Sequence, residues 1–325
     1  MLLGFDIGGT KCAIVLGKLE GQKLVIVDKT ILQTTQPAYE MIELLFSHAE
    51  MLLVNNHIDQ QHIKGIGISC GGPLSSKLGL ILSPPNLPGW DNIPIVEMTE
   101  KRFGKKALLQ NDANACAVAE WKFGAGSGFS NVIFLTFGTG MGAGLILDGK
   151  LYSGTSDLAG EVGHLRLSGN GPVGFGKAGS FEGWCSGGGI AQLAQIKVRE
   201  RFQMGEKVSF CESIHDLPSL TAKTVAEAAN NNDALALDIY TTCATYLGKG
   251  LSILIDVLNP EVIILGSIFG RAQSLLEPKM MEIIEQETYL GSRAACRIVP
   301  AGLKEEIGDI AALSLAAMSS NILIS

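Results

Sequence analysis

Two short glycine-rich turns are the parts of this sequence best suited to chemistry. The first runs from Asp6 to Lys11, with Gly8, Gly9 and Thr10 between them. Glycines let backbone N–H groups approach phosphate oxygens closely, while Thr10 adds a hydroxyl and Lys11 adds a cation. Asp6, at the end of an apolar run, could hold Mg²⁺ or its water ligands. The turn is a candidate phosphate-binding loop, although a tight hairpin with an incidental aspartate is the alternative.

The second turn, from Gly138 to Gly144, contains Thr139 and Gly140. It matches no common nucleotide fingerprint: Ala143 breaks the G-x-G-x-x-G pattern, no G-K-[ST] follows, and residues 144–147 indicate a strand where a Rossmann loop requires a helix. We therefore predict a β-turn that faces phosphate. Because the first turn resembles it, the two turns could clamp a polyphosphate between two domains.

Asn111 and Asp112 lie where a predicted strand ends and a predicted helix begins. Phosphoryl transfer to an alcohol needs a carboxylate that orients the hydroxyl and accepts its proton. Asp112 is a candidate for this base, and Asn111 could bind a neighbouring hydroxyl. The alternative is that Asp112 only caps the helix, which is a common role for aspartate.

Further polar residues follow the second turn on glycine-rich loops. Glu161, His164 and Glu182 offer bidentate acceptors and donors of the kind that hold polyhydroxylated ligands. Each alone would more often be structural, but together they favour a sugar site. A later buried strand ends at Gly266 and Ser267, a small turn that could admit a flat base or could serve packing alone.

Length and composition restrict the class of protein. A chain of 325 residues suggests about two domains. Lys and Arg total 25 against 32 Asp and Glu, a net charge of −7, so no basic surplus points to nucleic acid. The seven cysteines are not clustered, which is typical of reduced intracellular thiols. No leader or membrane span is evident, and we expect a soluble cytoplasmic protein.

A repeated pattern organises the chain. Apolar run, glycine turn and apolar run open the sequence and return from Val132 to Leu147, which predicts two related halves. Strands alternate with helical patterns, which indicates an α/β architecture. The predicted helices lie at 37–55, 114–123, 187–203, 222–231, 234–258 and from about 307, and the predicted later strands at 63–69, 132–137, 143–147, 261–265 and 297–300.

Together these motifs resemble the ROK family of sugar kinases, within the wider actin-like ATPase superfamily. The resemblance spans essentially the whole chain and includes the Pro-Asn-Leu-Pro-Gly-Trp loop at 85–90. The segments Asp6–Lys11, Asn111-Asp112, Gly138–Gly144 and Glu161–His164 occur in the family's order and spacing. The resemblance implies an ATP- and Mg²⁺-dependent kinase of glucokinase type that phosphorylates a hexose 6-hydroxyl and forms a homodimer.

The same resemblance implies a fold and a site. The fold would be the two-domain actin-like ATPase (ribonuclease H-like) α/β fold with an interdomain active-site cleft. Its domains would span 1–120 and 121–304, with a helix at about 305–325 packing back on the first. Asp112 would be the catalytic base. The implied substrate contacts are Gly72, Asn86, Asn111, Asp112, Glu161, His164 and Glu182. The implied cofactor contacts are Asp6, Gly8, Gly9, Thr10, Lys11, Gly138, Thr139, Gly140, Gly266 and Ser267, and Asp6 would also meet Mg²⁺ through water or phosphate.

One segment departs from the family pattern. Family members usually hold a structural zinc with one His and three Cys, and the three Cys positions here are Val173, Phe175 and Ser180. His164 remains, but one imidazole cannot hold tetrahedral zinc alone. We therefore expect no structural zinc, with Val173 and Phe175 packing in its place.

Two alternatives stay open. One is a kinase for N-acetylmannosamine or another amino sugar. The other is a non-catalytic sugar-binding regulator of the ROK family. ROK repressors carry a DNA-binding domain ahead of the kinase-like part, whereas the phosphate turn here begins at Asp6 and the charge is acidic. We therefore expect hexose and ATP as partners, and neither nucleic acid nor membrane.

Overall fold

The computed structural model describes residues 1–322 of the chain. The strands are β1 (Leu2–Ile7), β2 (Lys11–Glu20), β3 (Lys23–Gln33), β4 (Gly65–Cys70), β5 (Leu74–Ser75), β6 (Leu80–Ile81), β7 (Ala107–Asn111), β8 (Val132–Phe137), β9 (Met141–Leu147), β10 (Lys150–Leu151), β11 (Val173–Gly174), β12 (Lys177–Ala178), β13 (Val262–Leu265) and β14 (Arg297–Pro300). The α-helices are α1 (Ala38–Asn55), α2 (Ile95–Phe103), α3 (Asp112–Phe123), α4 (Phe181–Trp184), α5 (Gly187–Gln203), α6 (Ala222–Asn230), α7 (Ala234–Leu258), α8 (Ile268–Arg271), α9 (Gln273–Glu287), α10 (Leu290–Ala295) and α11 (Ile307–Ser319).

Two five-stranded sheets confirm the predicted α/β class and the repeat. Their strand orders are β3-β2-β1-β4-β7 and β10-β9-β8-β13-β14, so the first strand of each half is central in its sheet. In the first sheet β1 is antiparallel to β2 and parallel to β4, which is parallel to β7. This register places Asp6, Ser69 and Gln110 side by side on three neighbouring strands. Polar side chains therefore collect where these strands end.

The chain divides into two compact units. The first comprises residues 1–134, 144–159 and those from Gly302 onward, and the second comprises residues 135–143 and 160–301. The predicted domain bounds of 1–120 and 121–304 stay a prediction; the compact units differ from them because residues 121–134 and 144–159 group with the first unit. Residues 323–325, at the end of the predicted terminal helix, lie outside the described residues.

An aromatic core fills one face of the first sheet. Phe5 on β1 contacts Phe46 on α1 and Phe103 on α2, with ring centroids 6.0 and 6.2 Å apart. Phe46 and Phe103 meet edge to face at 5.4 Å. Because β1 and β4 are buried on both faces, their residues are mostly apolar rather than alternating, with Asp6 and Ser69 as the polar positions near the strand ends.

The other face of this sheet is lined by glycines, and α11 lies directly on it. A methyl group at Gly4 would lie 2.8 Å from the Cβ of Ala312, and a methyl group at Gly67 would lie 2.0 Å from the carbonyl oxygen of Ala312. At Gly65 the same addition would lie 2.3 Å from the carbonyl oxygen of Ala316. The absence of side chains at these three glycines thus lets the helix backbone approach the strand backbones.

A buried carboxylate fixes the chain as it enters α11. Glu120, near the end of α3, is fully buried and accepts hydrogen bonds from the backbone N–H groups of Ala125, Gly302 and Leu303 at 2.8, 3.1 and 2.9 Å. A buried carboxylate is tolerated only with such donors. Glu120 therefore ties the end of α3 to the segment that precedes α11.

The second unit is built around α7. This 25-residue helix packs against α9 and buries residues along its length, including Cys243, Leu247 and Leu251. Gly248 permits the contact with α9, because a methyl group there would lie 2.7 Å from the carbonyl oxygen of Met280. Within residues 1–322, no helix combines the length and the apolar character needed to cross a membrane.

Gly67→Ala should weaken folding, because its methyl group would overlap the backbone of Ala312 at 2.0 Å and α11 would have to move. Overpacking of this kind costs about 1–3 kcal/mol. Urea unfolding measures the change. Gly169→Ala is the control, since nothing lies within 4 Å of the added methyl group. Equal stability of the two variants would contradict the close packing.

Candidate functional site

The first unit brings the first glycine turn against the loop at 85–90. The turn joins β1 to β2 and is closed by a bond from the N–H of Gly8 to the carbonyl of Lys11, at 3.2 Å. A methyl group at Gly9 would lie 2.2 Å from the carbonyl oxygen of Asn86, so only glycine fits this contact. Thr10 and Lys11 are exposed on the turn. Candidate phosphate and sugar residues thus lie side by side.

The amides of Asn86 and Asn111 face two adjacent glycines. The Nδ2 atom of Asn86 would lie 3.4 Å from a methyl group at Gly71, and that of Asn111 3.3 Å from one at Gly72. Both amides therefore lie beside the backbone that follows β4. The first unit groups the predicted sugar contacts Gly72, Asn86 and Asn111.

Asn111, rather than Asp112, caps α3. Its Oδ1 accepts a hydrogen bond from the N–H of Ala113 at 3.0 Å, and its backbone is extended. Asp112 is the first helical residue, is exposed, and also accepts from the Ala113 N–H at 2.8 Å. Asn111 is thus the N-cap of the helix, and Asp112 accepts the same N–H from the first helical position.

Burial dominates the electrostatics of Asp6. It raises the pKa of Asp6 to about 6; a hydrogen bond with Ser69 opposes this, the negative charges of Asp112 and Asp309 add to it, and Lys29 lowers it. Lys29 is itself engaged by Asp309, with Nζ 2.7 Å from both carboxylate oxygens. A cation at Asp6 would relieve the repulsion, and a carboxylate oxygen is a ligand that Mg²⁺ prefers.

The second unit places the second turn at the start of α5. The N–H of Gly187 donates to the carbonyl of Gly138 at 2.7 Å, and that of Gly188 to Thr139 at 3.3 Å. The sequence analysis places Gly187 and Gly188 in the predicted helix at 187–203 but not in the site, although the run Ser-Gly-Gly-Gly at the start of a helical pattern is a signal for such a contact. The turn is therefore fixed to the N-terminus of a long helix.

A cavity of about 460 Å³ opens beside this turn. Gly138, Thr139 and Ser267 line it, together with Gly187, Gly188, Ala191, Leu220, Thr221, Ala222, Lys223, Ile268 and Arg271. Ser267 has φ 45° and ψ −102°, a region that favours glycine. Its Oγ would lie 3.9 Å from a methyl group at Gly138. Gly266, by contrast, is buried and donates its N–H to Leu135.

The remaining predicted sugar residues occupy neighbouring segments of the second unit. Glu161 is exposed and precedes the short 3₁₀ helix Val162–His164. The His164 ring meets Phe175 edge to face, with centroids 5.4 Å apart. Glu182 also contacts the second turn, because its Oε2 accepts a hydrogen bond from the N–H of Met141, next to Gly140, at 2.9 Å.

The segment that departs from the family pattern forms the hairpin β11–β12. Gln192 on α5 holds it by pairing with both the N–H and the carbonyl of Val173, at 3.0 and 2.8 Å. Ser180 caps α4 by accepting from Gly183. These side chains do not suit zinc, and residues 1–322 contain no cluster of three or more His, Cys, Asp or Glu that could hold a metal. The absence of structural zinc stays a prediction.

The Asp6→Asn variant should be more stable than the parent protein above pH 6. The pKa of Asp6 is about 6 in the folded state, whereas the ordinary pKa of an aspartate is 3.8, so the stability contributed by this group falls as pH rises between those values. The gain should be about 1–3 kcal/mol at pH 8 and vanish near pH 4. Urea unfolding at both pH values measures it, with exposed Glu40→Gln as control. A gain independent of pH would refute the assignment.

Comparison with known proteins identifies the family. Residues 2–319 match the model described as the ROK family. A glucokinase of Halalkalibacterium halodurans is 32% identical over 85% of this chain and 83% of its own. A xylose repressor of Caldicellulosiruptor bescii is 27% identical over 94% of this chain and 75% of its own.

A solved structure extends the comparison to the fold. A ROK family glucokinase from Streptomyces griseus, in complex with glucose and AMPPNP, superimposes with a TM-score of 0.77 and 27% identity over 98% of this chain and 99% of its own. The α/β fold described above is therefore that of the ROK kinases, an actin-like ATPase fold. With a family match over almost its whole length and this shared fold, the chain belongs to the ROK family.

Proposed function

We propose that the protein is an ATP-dependent sugar kinase that transfers the γ-phosphate of ATP to the 6-hydroxyl of a hexose, with glucose as the first candidate. The observation that carries the proposal is the exposed carboxylate of Asp112, placed at the start of α3 directly after a separate cap, Asn111. An exposed aspartate at the start of a helix, beside an amide that suits hydroxyls, is placed as a general base would be. The glucokinase relatives support the substrate class.

Each group has a chemical role in this proposal. Asp112 accepts the proton of the sugar hydroxyl as its oxygen attacks the γ-phosphorus and the bond to the β-phosphate oxygen breaks. The candidate sugar contacts are Gly72, Asn86, Asn111, Glu161, His164 and Glu182. The glycine turns at 8–11 and 138–140 would offer backbone N–H groups to phosphate, and Gly266 and Ser267 are the candidate contacts for the nucleoside.

Asp6 is the residue that would hold Mg²⁺, through water or phosphate. Its buried carboxylate, with a pKa raised by burial and by negative neighbours, is a donor whose charge a cation would stabilise. When bound, Mg²⁺ neutralises charge on the transferring phosphate. The homodimer also stays a proposal.

Two observations keep other functions in view. The match to a xylose repressor over most of the chain favours a sugar-binding regulator as the second candidate. The altered hairpin beside His164 keeps an amino sugar as a candidate substrate, because the hairpin changes the surroundings of a candidate sugar contact. The three candidate functions, a hexokinase, an amino-sugar kinase and a sugar-binding regulator, differ in turnover and in sugar preference.

An assay of ADP release with ATP and Mg²⁺ tests the proposal across glucose, mannose, N-acetylmannosamine, N-acetylglucosamine and xylose. We expect turnover with a hexose and only background ATP hydrolysis with xylose, which matches glucose but lacks the 6-hydroxyl. A preference for N-acetylmannosamine would favour the amino-sugar alternative. Sugar binding by calorimetry without turnover on any sugar would favour the regulator and overturn the kinase.

Asp112→Asn should slow turnover by about 10²–10⁴-fold while sugar and ATP still bind, because an amide keeps the shape but cannot accept the proton. The helix should survive, since Asn111 remains its cap. Asp59→Asn is the matched control: it changes a capping aspartate outside the site, which accepts from the N–H of Gln61, and should leave turnover unchanged. Near-normal turnover of the Asp112 variant would remove this residue from the chemistry.

A further inference from the structure

Glu182 lies where three segments of the second unit meet. A methyl group at Gly140, in the second glycine turn, would lie 2.8 Å from its Oε2. A methyl group at Gly163, which lies between Glu161 and His164, would be 3.3 Å from the Cβ of Glu182. A methyl group at Gly174, in the hairpin, would be 2.9 Å from the same Cβ. All three neighbours are glycines, so the Glu182 side chain occupies space that a larger residue at any of these three positions would need. Glu182 is therefore the common neighbour of the phosphate and sugar segments.

Several hydrogen bonds hold the turn, and among those of the described residues only one uses a charged side chain. Thr136 accepts from the N–H of Gly142 at 2.9 Å, and the N–H of Gly187 donates to Gly138 at 2.7 Å. The charged side chain is Glu182, whose carboxylate accepts from the N–H of Met141 at 2.9 Å. Hydrogen bonds to a carboxylate are about twice as strong as neutral ones. The position of this side chain therefore bears directly on the conformation of the turn.

We propose that Glu182 couples sugar binding to phosphate binding: one carboxylate oxygen holds the Met141 N–H while the other accepts a sugar hydroxyl. The inference rests on the proposed sugar-kinase function. In the described residues Oε1 accepts no hydrogen bond, whereas Oε2 is engaged with the turn. A sugar hydroxyl on Oε1 fixes the side-chain torsions of Glu182, and so fixes the Met141 N–H in place. Sugar thereby prepares the turn for the polyphosphate.

Coupling of this kind is reciprocal and can be measured as a ratio of affinities. Calorimetry gives the Kd of AMPPNP with Mg²⁺, without and with saturating glucose or the hexose preferred in turnover. In the parent protein we expect the sugar to tighten AMPPNP binding by about 5-fold or more. Glu182→Ala should bring this ratio to about one. Glu182→Gln, which keeps the volume, should lower the ratio without abolishing it, because a neutral amide accepts more weakly.

Thr136→Val is the matched control, because it removes a hydrogen bond from the same turn through a residue away from the sugar segments. It should weaken AMPPNP binding while preserving the ratio. Melting temperatures confirm that each variant folds, and Glu182→Gln carries the test if Glu182→Ala does not. An unchanged ratio in the Glu182 variants, or an equal loss in Thr136→Val, would overturn the coupling. A ratio of one in the parent protein, with both ligands binding, refutes the coupling alone, whereas no binding of either ligand refutes the sugar-kinase function as well.

Discussion

The first unit depends on one close contact, that between α11 and the glycine-lined face of its sheet. Gly4, Gly65 and Gly67 leave no side chains between strand and helix backbones, so small residues of the helix meet the strands directly. Dispersion contacts are strongest at such short separations and are lost steeply as a gap opens. The same approach brings Gly308, at the start of α11, to the Asp6 carboxylate, where a methyl group would lie 3.2 Å from Oδ2. The same contact between helix and sheet thus determines both the packing of the first unit and the surroundings of Asp6.

Local sequence was enough to predict features that are determined by neighbouring residues. The glycine turns, the helix at 187–203 and the helix beginning near Ile307 were all found from composition and periodicity, because turns and amphipathic faces leave local signals. The repeat predicted two related halves, and the strand orders of the two sheets agree with that prediction. The sequence could not show that glycines scattered over β1 and β4 form one surface, because that depends on strand register.

In the candidate site, too, residue types could be predicted from the sequence but long-range contacts could not. Asn111 and Asp112 could be picked out by residue type, yet which of them caps the helix depends on backbone angles that the sequence does not display. Glu182 was predicted as a sugar contact from its place after the second turn and from the family resemblance, whereas its bond to Met141 joins residues far apart in the chain. Gly187 and Gly188 belong to the predicted helix at 187–203, but the helical pattern does not show that their N–H groups bond to the turn. Long-range contacts are what sequence patterns omit.

The position of α11 in the chain has a consequence for how the protein is made. The first sheet is complete once Asn111 has been synthesised, but the helix that covers its glycine face is translated only after the whole second unit. Until then the nascent sheet exposes bare backbone and apolar surface, which other chains could bind. The second unit has no such dependence on late residues and can fold while translation continues. Ribosome-bound chains should therefore depend on chaperones for the first unit, which is made first and finished last.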